Sequence, residues 1–138
     1  MSEIWKDVVG YEGLYQISNH GKLKSADRTI KYPSGYSDRL FKSKELSLNV
    51  SKNGYIYFDL YRNQKRKRFF SHVLVMMSFV RPKQGVEDIN HINGIKTDNR
   101  IDNLEYCSRS ENMIHAFKIG LCEKTRNSAI LKNKQNKL

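Results

Sequence analysis

The chain has 138 residues, enough for one compact domain or for two small modules that share a core. It carries 25 Lys and Arg against 14 Asp and Glu, and a net charge of +11 indicates a polyanionic partner, nucleic acid before a membrane surface. Its longest apolar run, residues 73–80, is too short to span a bilayer, and its polar first residues do not resemble a signal peptide, so we expect a cytoplasmic protein without a membrane anchor.

The charge is unevenly spread along the chain. Residues 1–69 contain 14 Lys and Arg against 7 Asp and Glu, and residues 117–138 contain 6 against 1. Residues 70–116 contain 5 against 6 and are nearly neutral. We therefore expect basic flanks that hold phosphates around a central segment that can accept a cation.

Residues 4–25 alternate apolar and polar side chains around glycines, which predicts short strands. Leu14 to Ile17 forms one predicted strand, residues 19–21 a turn, and Leu23 begins the return strand. The pattern W-K-D-x-x-G-Y-E-G-x-Y-Q-I-S-N-x-G-x-L-x-S resembles the NUMOD-type DNA-binding module. The resemblance makes Lys22 and Lys24 candidate DNA contacts. The simpler alternative is a small hairpin whose aromatic residues fill a thin core. The two interpretations are compatible, because a DNA-binding module must also fold.

Residues 26–45 contain Pro33, Gly35 and many polar groups, which predicts a loop. A hairpin follows, with strands at Leu46–Val50 and Tyr55–Tyr61 and a turn at Asn53-Gly54, a pair that accepts the positive φ angles of tight turns. Alternation in the second strand predicts one buried face and one exposed face. The buried face holds Ile56, Phe58 and Leu60, and the exposed face holds Tyr55, Tyr57, Asp59 and Tyr61.

Five cations follow within seven residues: Arg62, Lys65, Arg66, Lys67 and Arg68. Runs of this kind are usually solvated turns. In a chain this basic, and next to a tyrosine-rich strand, contact with DNA phosphates is the favoured interpretation.

A helix is predicted from His72 to about Val80, with Ser71 as its N-cap and Pro82 beyond its end. Its apolar face comprises Val73, Leu74, Met76, Met77 and Phe79. His72 lies in the first turn and is either a structural hydrogen-bonding residue or a catalytic one.

Residues 86–107 predict two antiparallel strands. The first runs from Val86 to Ile92 and ends in Asn90-His91, the turn begins at Asn93-Gly94, residues 96–102 form a loop, and Leu104–Cys107 is the return strand.

A second helix is predicted to begin at Ser108, because Ser108 and Glu111 have the spacing of a capping box. It is expected to end near Ile119, before Gly120. Asn112 then lies in its first turn and His115 about one turn later. We expect Met113, Ala116 and Phe117 to pack inward.

Residues 70–120 resemble the HNH endonucleases, in the homing subgroup of phages and introns. The resemblance rests on N-H-I-N-G at residues 90–94, on D-N-R-I-D-N-L at residues 98–104, and on S-x-x-E-N at residues 108–112. It implies an α+β fold, in which a small antiparallel β-sheet module (residues 1–69) precedes a ββα-metal nuclease module (residues 70–120) and a basic tail (residues 121–138).

The resemblance also implies a chemistry. Histidine has the pKa that a general base needs near pH 7, which assigns that role to His91. Asn90 and Asn112 would hold a divalent cation, Mg²⁺ first and Mn²⁺ second, because hard cations prefer oxygen ligands. Asn103 would tie the loop together and orient His91, and His115 is either a third metal ligand or a packing or DNA contact. The expected products are a 5′-phosphate and a 3′-hydroxyl.

Several alternatives stay open. Many relatives have an aspartate where this chain has Asn90, so a DNA-binding protein with a weakened or inactive site is the second interpretation. A structural zinc site built from Cys107, Cys122, His91 and His115 is disfavoured by the cysteine spacing, and free thiols in a reducing compartment are expected instead.

The expected partner is double-stranded DNA, bound by a monomer or a weak dimer. One active site per chain predicts a nick rather than a double-strand break. The basic tail after residue 120 is either partly helical, around residues 127–134, or a frayed source of nonspecific charge, and it is too short for a full helix-turn-helix.

Overall fold

The computed structural model describes residues 2–118 of the chain. Within that range it is an α+β fold whose paired strands are all antiparallel, as the sequence predicts. The helices are α1 (Ser71–Phe79) and α2 (Arg109–Lys118). The strands are β1 (Trp5–Asp7), β2 (Tyr15–Ser18), β3 (Leu23–Ser25), β4 (Arg28–Ile30), β5 (Arg39–Phe41), β6 (Lys44–Glu45), β7 (Asn49–Val50), β8 (Ile56–Arg62), β9 (Lys65–Phe70), β10 (Asp88–His91) and β11 (Leu104–Cys107).

The strands form four groups, and all of them except β4-β5 contribute side chains to one hydrophobic core. The groups are β1-β2-β3-β6, β7-β8-β9, β4-β5 and β10-β11. The core joins side chains from both predicted modules, and its buried members are Val8, Ile17, Leu23, Ile56, Phe58, Leu60, Leu74, Val75, Met76 and Leu104. Residues on either side of position 70 therefore depend on the same buried apolar surface for their stability.

The first hairpin lies against the segment that precedes β11. β2 and β3 are paired as predicted, and the turn between them contains Gly21 at φ +86°. A Cβ on Gly21 would lie 2.6 Å from the Cβ of Asn99, so only glycine fits there without a shift. The backbone N–H of Ile101 donates to the carbonyl oxygen of Asn19 at 2.8 Å. The N-terminal turn is thus packed directly onto residues 99–101.

The prediction of a loop at residues 26–45 was wrong in part. β4 and β5 pair with each other within it, and β6 at its end pairs with β3. Each of these strands is only two or three residues long and lies mostly on the surface. A sequence pattern of alternating burial cannot appear in strands that bury neither face.

The first arm of the second hairpin is shorter than predicted, and its second arm has the predicted length but is shifted by one residue. β8 has the predicted alternation, with Ile56, Phe58 and Leu60 at most 4% exposed. The first arm is only β7, and residues 65–68 of the basic run, which we did not predict to form a strand, begin the extended strand β9. Asn63 and Gln64, at φ +51° and +63°, connect β8 to β9. Two central residues with positive φ make the tight turn whose twist matches an antiparallel pair.

Helix α1 lies at the centre of the fold. Its buried residues are Ser71, Leu74, Val75 and Met76, so Val75 belongs to the core although we placed it outside the apolar face. Ser71 does not cap the helix as predicted. Its hydroxyl instead donates to the carbonyl oxygen of Gly21 at 2.7 Å, which joins the helix to the N-terminal turn.

Strands β10 and β11 and helix α2 form the predicted ββα unit. β10 is shorter than expected, and its register places Asn90 opposite Glu105 and His91 opposite Leu104. The capping box is confirmed: Glu111 N–H donates to Ser108 Oγ and Ser108 N–H donates to the Glu111 carboxylate, both at 3.1 Å. The predicted end of the helix near Ile119 and Gly120 falls outside the described residues.

One packing prediction in α2 was wrong. Met113 is 57% exposed, whereas Ala116 and Phe117 are half-buried. A helix that contacts the rest of the fold mainly through β10 has too narrow an interface to cover every apolar side chain it carries. Neither helix of the described chain has the length and apolar composition that crossing a membrane requires.

Candidate active site

The imidazole of His91 lies at the end of β10, with 6% of the residue exposed. Its Nε2 is 2.7 Å from Oδ1 of Asn99. A carboxamide oxygen can only accept a hydrogen bond, so Nε2 carries the proton and Nδ1 keeps its lone pair. Burial lowers the pKa of His91, against smaller opposing effects from Asn99 and Asp98. His91 is therefore neutral near pH 7 with one basic nitrogen, the state in which a general base operates.

Aromatic rings surround this imidazole. The ring of Tyr55 lies 5.9 Å from that of His91, and the ring of His72 lies 5.2 Å away, edge to face. His72 in turn stacks on Phe70 at 5.5 Å. Burial, and then the nearby His91, lower the pKa of His72 to about 4. Its Nδ1 finds no hydrogen-bond partner among the described residues, so His72 packs against the site as a neutral ring.

A cavity of about 300 Å³ opens beside His91. Asn90 and Asn112 line it together with His91, although they come from different elements. Lys96 lines it too and supplies a positive charge. The structure thus brings together the three side chains to which the sequence assigned the base and the two principal metal ligands.

The carboxamide of Asn90 is held by its neighbour on β11. Its Nδ2 donates to Oε1 of Glu105 at 2.9 Å. With the nitrogen engaged by Glu105, Oδ1 is the atom left to bind a cation. A ligand fixed in this way by a second residue loses less entropy when the ion binds.

The donor set suits a hard cation. Among residues 2–118, no three His, Cys, Asp or Glu side chains converge on a point where they could hold an ion. The amide oxygens of Asn90 and Asn112 are neutral, hard ligands of the kind that Mg²⁺ accepts while it keeps several waters or substrate oxygens. The described residues that line the cavity therefore fit a divalent ion that is completed by a phosphate, and no cysteine is among them.

Asn103 ties the loop between the two strands together. Its Oδ1 accepts from the backbone N–H of Asn93, and its Nδ2 donates to Asn93 Oδ1 at 2.9 Å and to the Asp98 carbonyl oxygen at 2.8 Å. Arg100 holds the pKa of the Asp98 carboxyl down at about 2 through a hydrogen bond at 2.8 Å. Asn103 thus makes the loop contacts expected of it, whereas Asn99 makes the contact with His91 that we expected from Asn103.

His115 does not line the cavity with the other proposed metal ligands. Its Nε2 lies 2.6 Å from the carbonyl oxygen of Ile92. Cys107 is buried and its thiol lies 3.7 Å from the carbonyl oxygen of Asp88, while Cys122 falls outside the described residues. A metal role for His115 gains no support from these contacts.

None of the candidate DNA contacts lines the cavity. Residues 65–68 form the first part of β9 and are all exposed. Arg62 donates to the carbonyl oxygen of Gly10. Lys22 lies 4.0 Å from the carboxylate of Glu45, and the ammonium of Lys24 lies over the ring of Trp5 at 4.3 Å.

Sequence reasoning missed two residues of the site. Asn99 is 2% exposed and positions His91, yet in the motif D-N-R-I-D-N-L we gave a role only to Asn103. Glu105 holds Asn90 across the sheet. The register that places Glu105 opposite Asn90 was not available from the sequence, because predicted strands of seven and four residues joined by a long connection can pair in several registers.

Comparisons with known proteins agree with this geometry. Residues 3–61 match the NUMOD4 motif, and residues 70–114 match the family HNH endonuclease. An uncharacterized HNH endonuclease, L247, of Acanthamoeba polyphaga mimivirus is 34% identical over 94% of this chain, which spans only 30% of that protein. DNA endonuclease I-HmuI of Bacillus phage SP01 is 32% identical over 96% of this chain and is covered over 68% of its length.

A solved structure resembles this fold over nearly its whole length. It is described as DNA binding and cleavage by the HNH homing endonuclease I-HmuI. It matches with a TM-score of 0.70 and 30% sequence identity, over 94% of this chain and 68% of the other. The sequence motifs, the ββα unit and these relatives together show that the chain belongs to the family of HNH homing endonucleases.

Proposed function

We propose that this protein is a metal-dependent DNA endonuclease of the homing type, which cuts one strand and leaves a 5′-phosphate and a 3′-hydroxyl. The main supporting observation is that one cavity is lined by His91, with a free Nδ1 lone pair, and by the amides of Asn90 and Asn112. The phage relative I-HmuI is named a DNA endonuclease, which supports the same reaction here.

His91 is the general base of this proposal. Its Nδ1 accepts a proton from a water molecule that attacks the scissile phosphorus. Asn99 keeps Nε2 protonated and the ring oriented, so that the accepting nitrogen is always the same one. Asn103 holds the loop that carries Asn99, because it bonds both to Asn93 and to the backbone of Asp98.

Asn90 and Asn112 are the proposed ligands of the divalent cation, with Mg²⁺ favoured and Mn²⁺ acceptable. When bound, the ion supplies a Lewis acid that offsets charge on the phosphate and on the leaving 3′ oxygen. Two neutral amides hold such an ion weakly, so the DNA phosphate must contribute part of its affinity. His115 is the least supported ligand, because its Nε2 already contacts Ile92.

Double-stranded DNA is the proposed partner, held mainly by residues 1–69 while residues 70–120 cut it. The exposed cations of β9 extend away from the aromatic cluster next to His91, since Phe70 at the end of β9 contacts both Tyr55 and His72. A basic strand that leads to the catalytic cavity can follow a phosphate backbone. We further propose that the protein acts as a monomer or weak dimer in the cytoplasm.

A second candidate function is DNA binding without cleavage. The observation in its favour is the amide-only ligand pair, since a carboxylate at position 90 would bind the ion more tightly than Asn90 does. The two candidate functions differ in one property, which is whether the protein cleaves a phosphodiester bond.

Nicking of supercoiled plasmid by the full chain separates the two. The proposed function predicts conversion to open circles in Mg²⁺, none in excess EDTA, and none with His91→Ala. It also predicts that DNA ligase reseals the nicks without prior treatment, because ligase requires a 5′-phosphate next to a 3′-hydroxyl. A protein that shifts the plasmid in a binding assay but leaves it supercoiled in Mg²⁺ and Mn²⁺ is only a binding protein.

A further inference from the structure

Arg68 is held in one fixed orientation on the exposed face of the β8–β9 hairpin. Its Nε and Nη2 donate to the two carboxylate oxygens of Asp59, at 3.0 and 3.4 Å. Its guanidinium lies over the ring of Tyr57, with Cζ 4.0 Å from the ring centroid. Asp59 pairs directly with Arg68 in the strand register, so the contact is built into the sheet.

This arrangement uses one edge of the guanidinium and leaves another open. Nε and one hydrogen of Nη2 face Asp59, so the hydrogens of Nη1 and the second hydrogen of Nη2 remain on the outer edge. No other hydrogen-bond acceptor for Arg68 occurs within residues 2–118. The side chain is 51% exposed, so this outer edge faces solvent.

The two parallel N–H donors of a guanidinium match the major-groove edge of guanine better than the edge of any other base. Guanine presents O6 and N7 as adjacent acceptors in the major groove, and arginine is the usual bidentate partner of that pair. A two-stranded β-ribbon is narrow enough to enter this groove. An arginine that is already stacked and hydrogen-bonded loses little side-chain freedom when it binds.

Asp59 is unexpected on a surface that only holds phosphates. It lies among cations, with Arg66 at 3.9 Å and Arg68 at 3.0 Å, and its negative charge repels a phosphate backbone. Arg68 keeps the pKa of the Asp59 carboxyl below its usual value, so that charge persists near neutral pH. The carboxylate therefore costs affinity for DNA in general, and what it adds is the orientation of Arg68.

The position of Arg68 relative to the catalytic cavity limits which base it can reach. Arg68 lies two residues before Phe70, whose ring is 5.9 Å from that of Tyr55, and Tyr55 is itself 5.9 Å from His91. At about 3.3 Å per strand residue, Arg68 is within roughly 20 Å of His91. With one base pair per 3.4 Å, the base it contacts lies within about six base pairs of the cut.

We infer that Arg68, oriented by Asp59 and Tyr57, recognises one guanine of the target site through its O6 and N7 in the major groove. This inference rests on the proposed function and extends it from DNA in general to one specified base. It assigns Arg68 a role different from that of the neighbouring lysines, which contact phosphates without regard to sequence.

The test is selection of cleaved and bound duplexes from a randomised library by the wild type and four variants. The wild type is expected to prefer G at one position within about six base pairs of the cut. Arg68→Lys keeps the positive charge but removes the pair of parallel N–H donors. It should reduce the preference for G by roughly 5- to 150-fold at unchanged affinity for random DNA. Arg68→Ala should lose the preference and some affinity.

Asp59→Ala separates orientation from charge. It should weaken the preference for G while raising the affinity for random DNA, because a negative charge is removed. Lys67→Ala is the matched control, a neighbouring cation whose loss should lower affinity for all sequences equally.

Each possible result of the selection has a defined meaning. If Arg68→Lys and Asp59→Ala keep the wild-type preference, Arg68 is a phosphate contact and the inference is wrong. A wild type that prefers no G near the cut also overturns it, whereas a wild type that neither cuts nor binds DNA overturns the proposed function itself.

Discussion

The cavity beside His91 and the β8–β9 hairpin both contain several polar side chains, but in opposite environments. Around the cavity, the neutral side chains of Asn90, His91, Asn99 and Asn103 are at most 6% exposed, and each makes a short hydrogen bond to a neighbouring residue. On the hairpin, residues 65–68 are exposed cations. The buried neutral groups keep a fixed geometry, whereas the exposed lysines of β9 keep the freedom to contact a phosphate backbone.

This difference predicts which substitutions should affect DNA cleavage and which should affect DNA binding. Substitutions in the buried network should change the rate of cleavage or the stability of the fold. Substitutions on the hairpin should change DNA affinity or base preference, with a small effect on the rate at saturation.

The largest expected effect is that of His91→Ala on cleavage. Loss of the general base should reduce the single-turnover rate by about 10²- to 10⁴-fold, while DNA affinity stays near the wild-type value. His20→Ala is the matched control, because His20 does not line the cavity and its Nδ1 lies 3.4 Å from the carboxylate of Glu3. A comparable loss with His20→Ala would indicate a general effect of histidine removal.

His72 should make the stability of the buried region depend on pH. Its pKa is about 4 in the folded chain against 6.5 when unperturbed, so the unfolded chain takes up the proton first as the pH falls. Stability that is fully present above about pH 6.5 is then lost progressively toward pH 4, by up to about 3 kcal/mol. Denaturant unfolding of the wild type and of His72→Phe at pH 7 and pH 4.5 measures how much of the free energy of unfolding is lost because of His72. An equal loss in both proteins would contradict it.

Asn99→Ala should reduce cleavage less than His91→Ala does, by about 10- to 100-fold, because the base remains but loses its orienting contact. Asn99→Asp keeps an acceptor for Nε2–H and should retain more activity than the alanine variant. Its carboxylate also favours the protonated imidazole, so the pH at which the rate levels off should rise. Equal rates and equal pH profiles for the two variants would leave Asn99 with a packing role only.

Gln64→Gly should have the smallest effect and should act on the hairpin alone. Gln64 has φ +63°, a conformation that costs a residue with a Cβ about 1 kcal/mol and a glycine almost nothing. We expect the free energy of unfolding to rise by about 1 kcal/mol with unchanged cleavage. Asn63 tolerates positive φ better, so Asn63→Gly is the matched control and should change stability less.

The sequence predicted the parts of the fold that follow from local rules. The capping box of Ser108 and Glu111, the alternating faces of β8, and the pairing of β10 with β11 all depend on near neighbours. The family resemblance then predicted that Asn90, His91 and Asn112 lie together. These elements needed no knowledge of distant contacts.

Features that depend on tertiary partners were missed. β9 consists of four cations and two phenylalanines, without an alternating pattern, and it is a strand because β8 lies beside it. Ser71 bonds to Gly21, fifty residues away, in place of capping α1. The partner of His91 is one of several asparagines in the same loop, and only the folded loop selects Asn99.

One experiment tests most directly whether the cavity residues govern DNA cleavage and the hairpin residues govern DNA binding. Single-turnover cleavage and equilibrium binding are measured on the same labelled duplex in Mg²⁺, over a range of concentrations of three proteins: the wild type, His91→Ala, and the double variant Lys65→Ala/Lys67→Ala. We predict that His91→Ala binds normally and does not cut, and that the double variant needs more protein but reaches the wild-type rate at saturation. A His91→Ala protein that still cuts, or a double variant that binds normally and cuts slowly, would contradict this account.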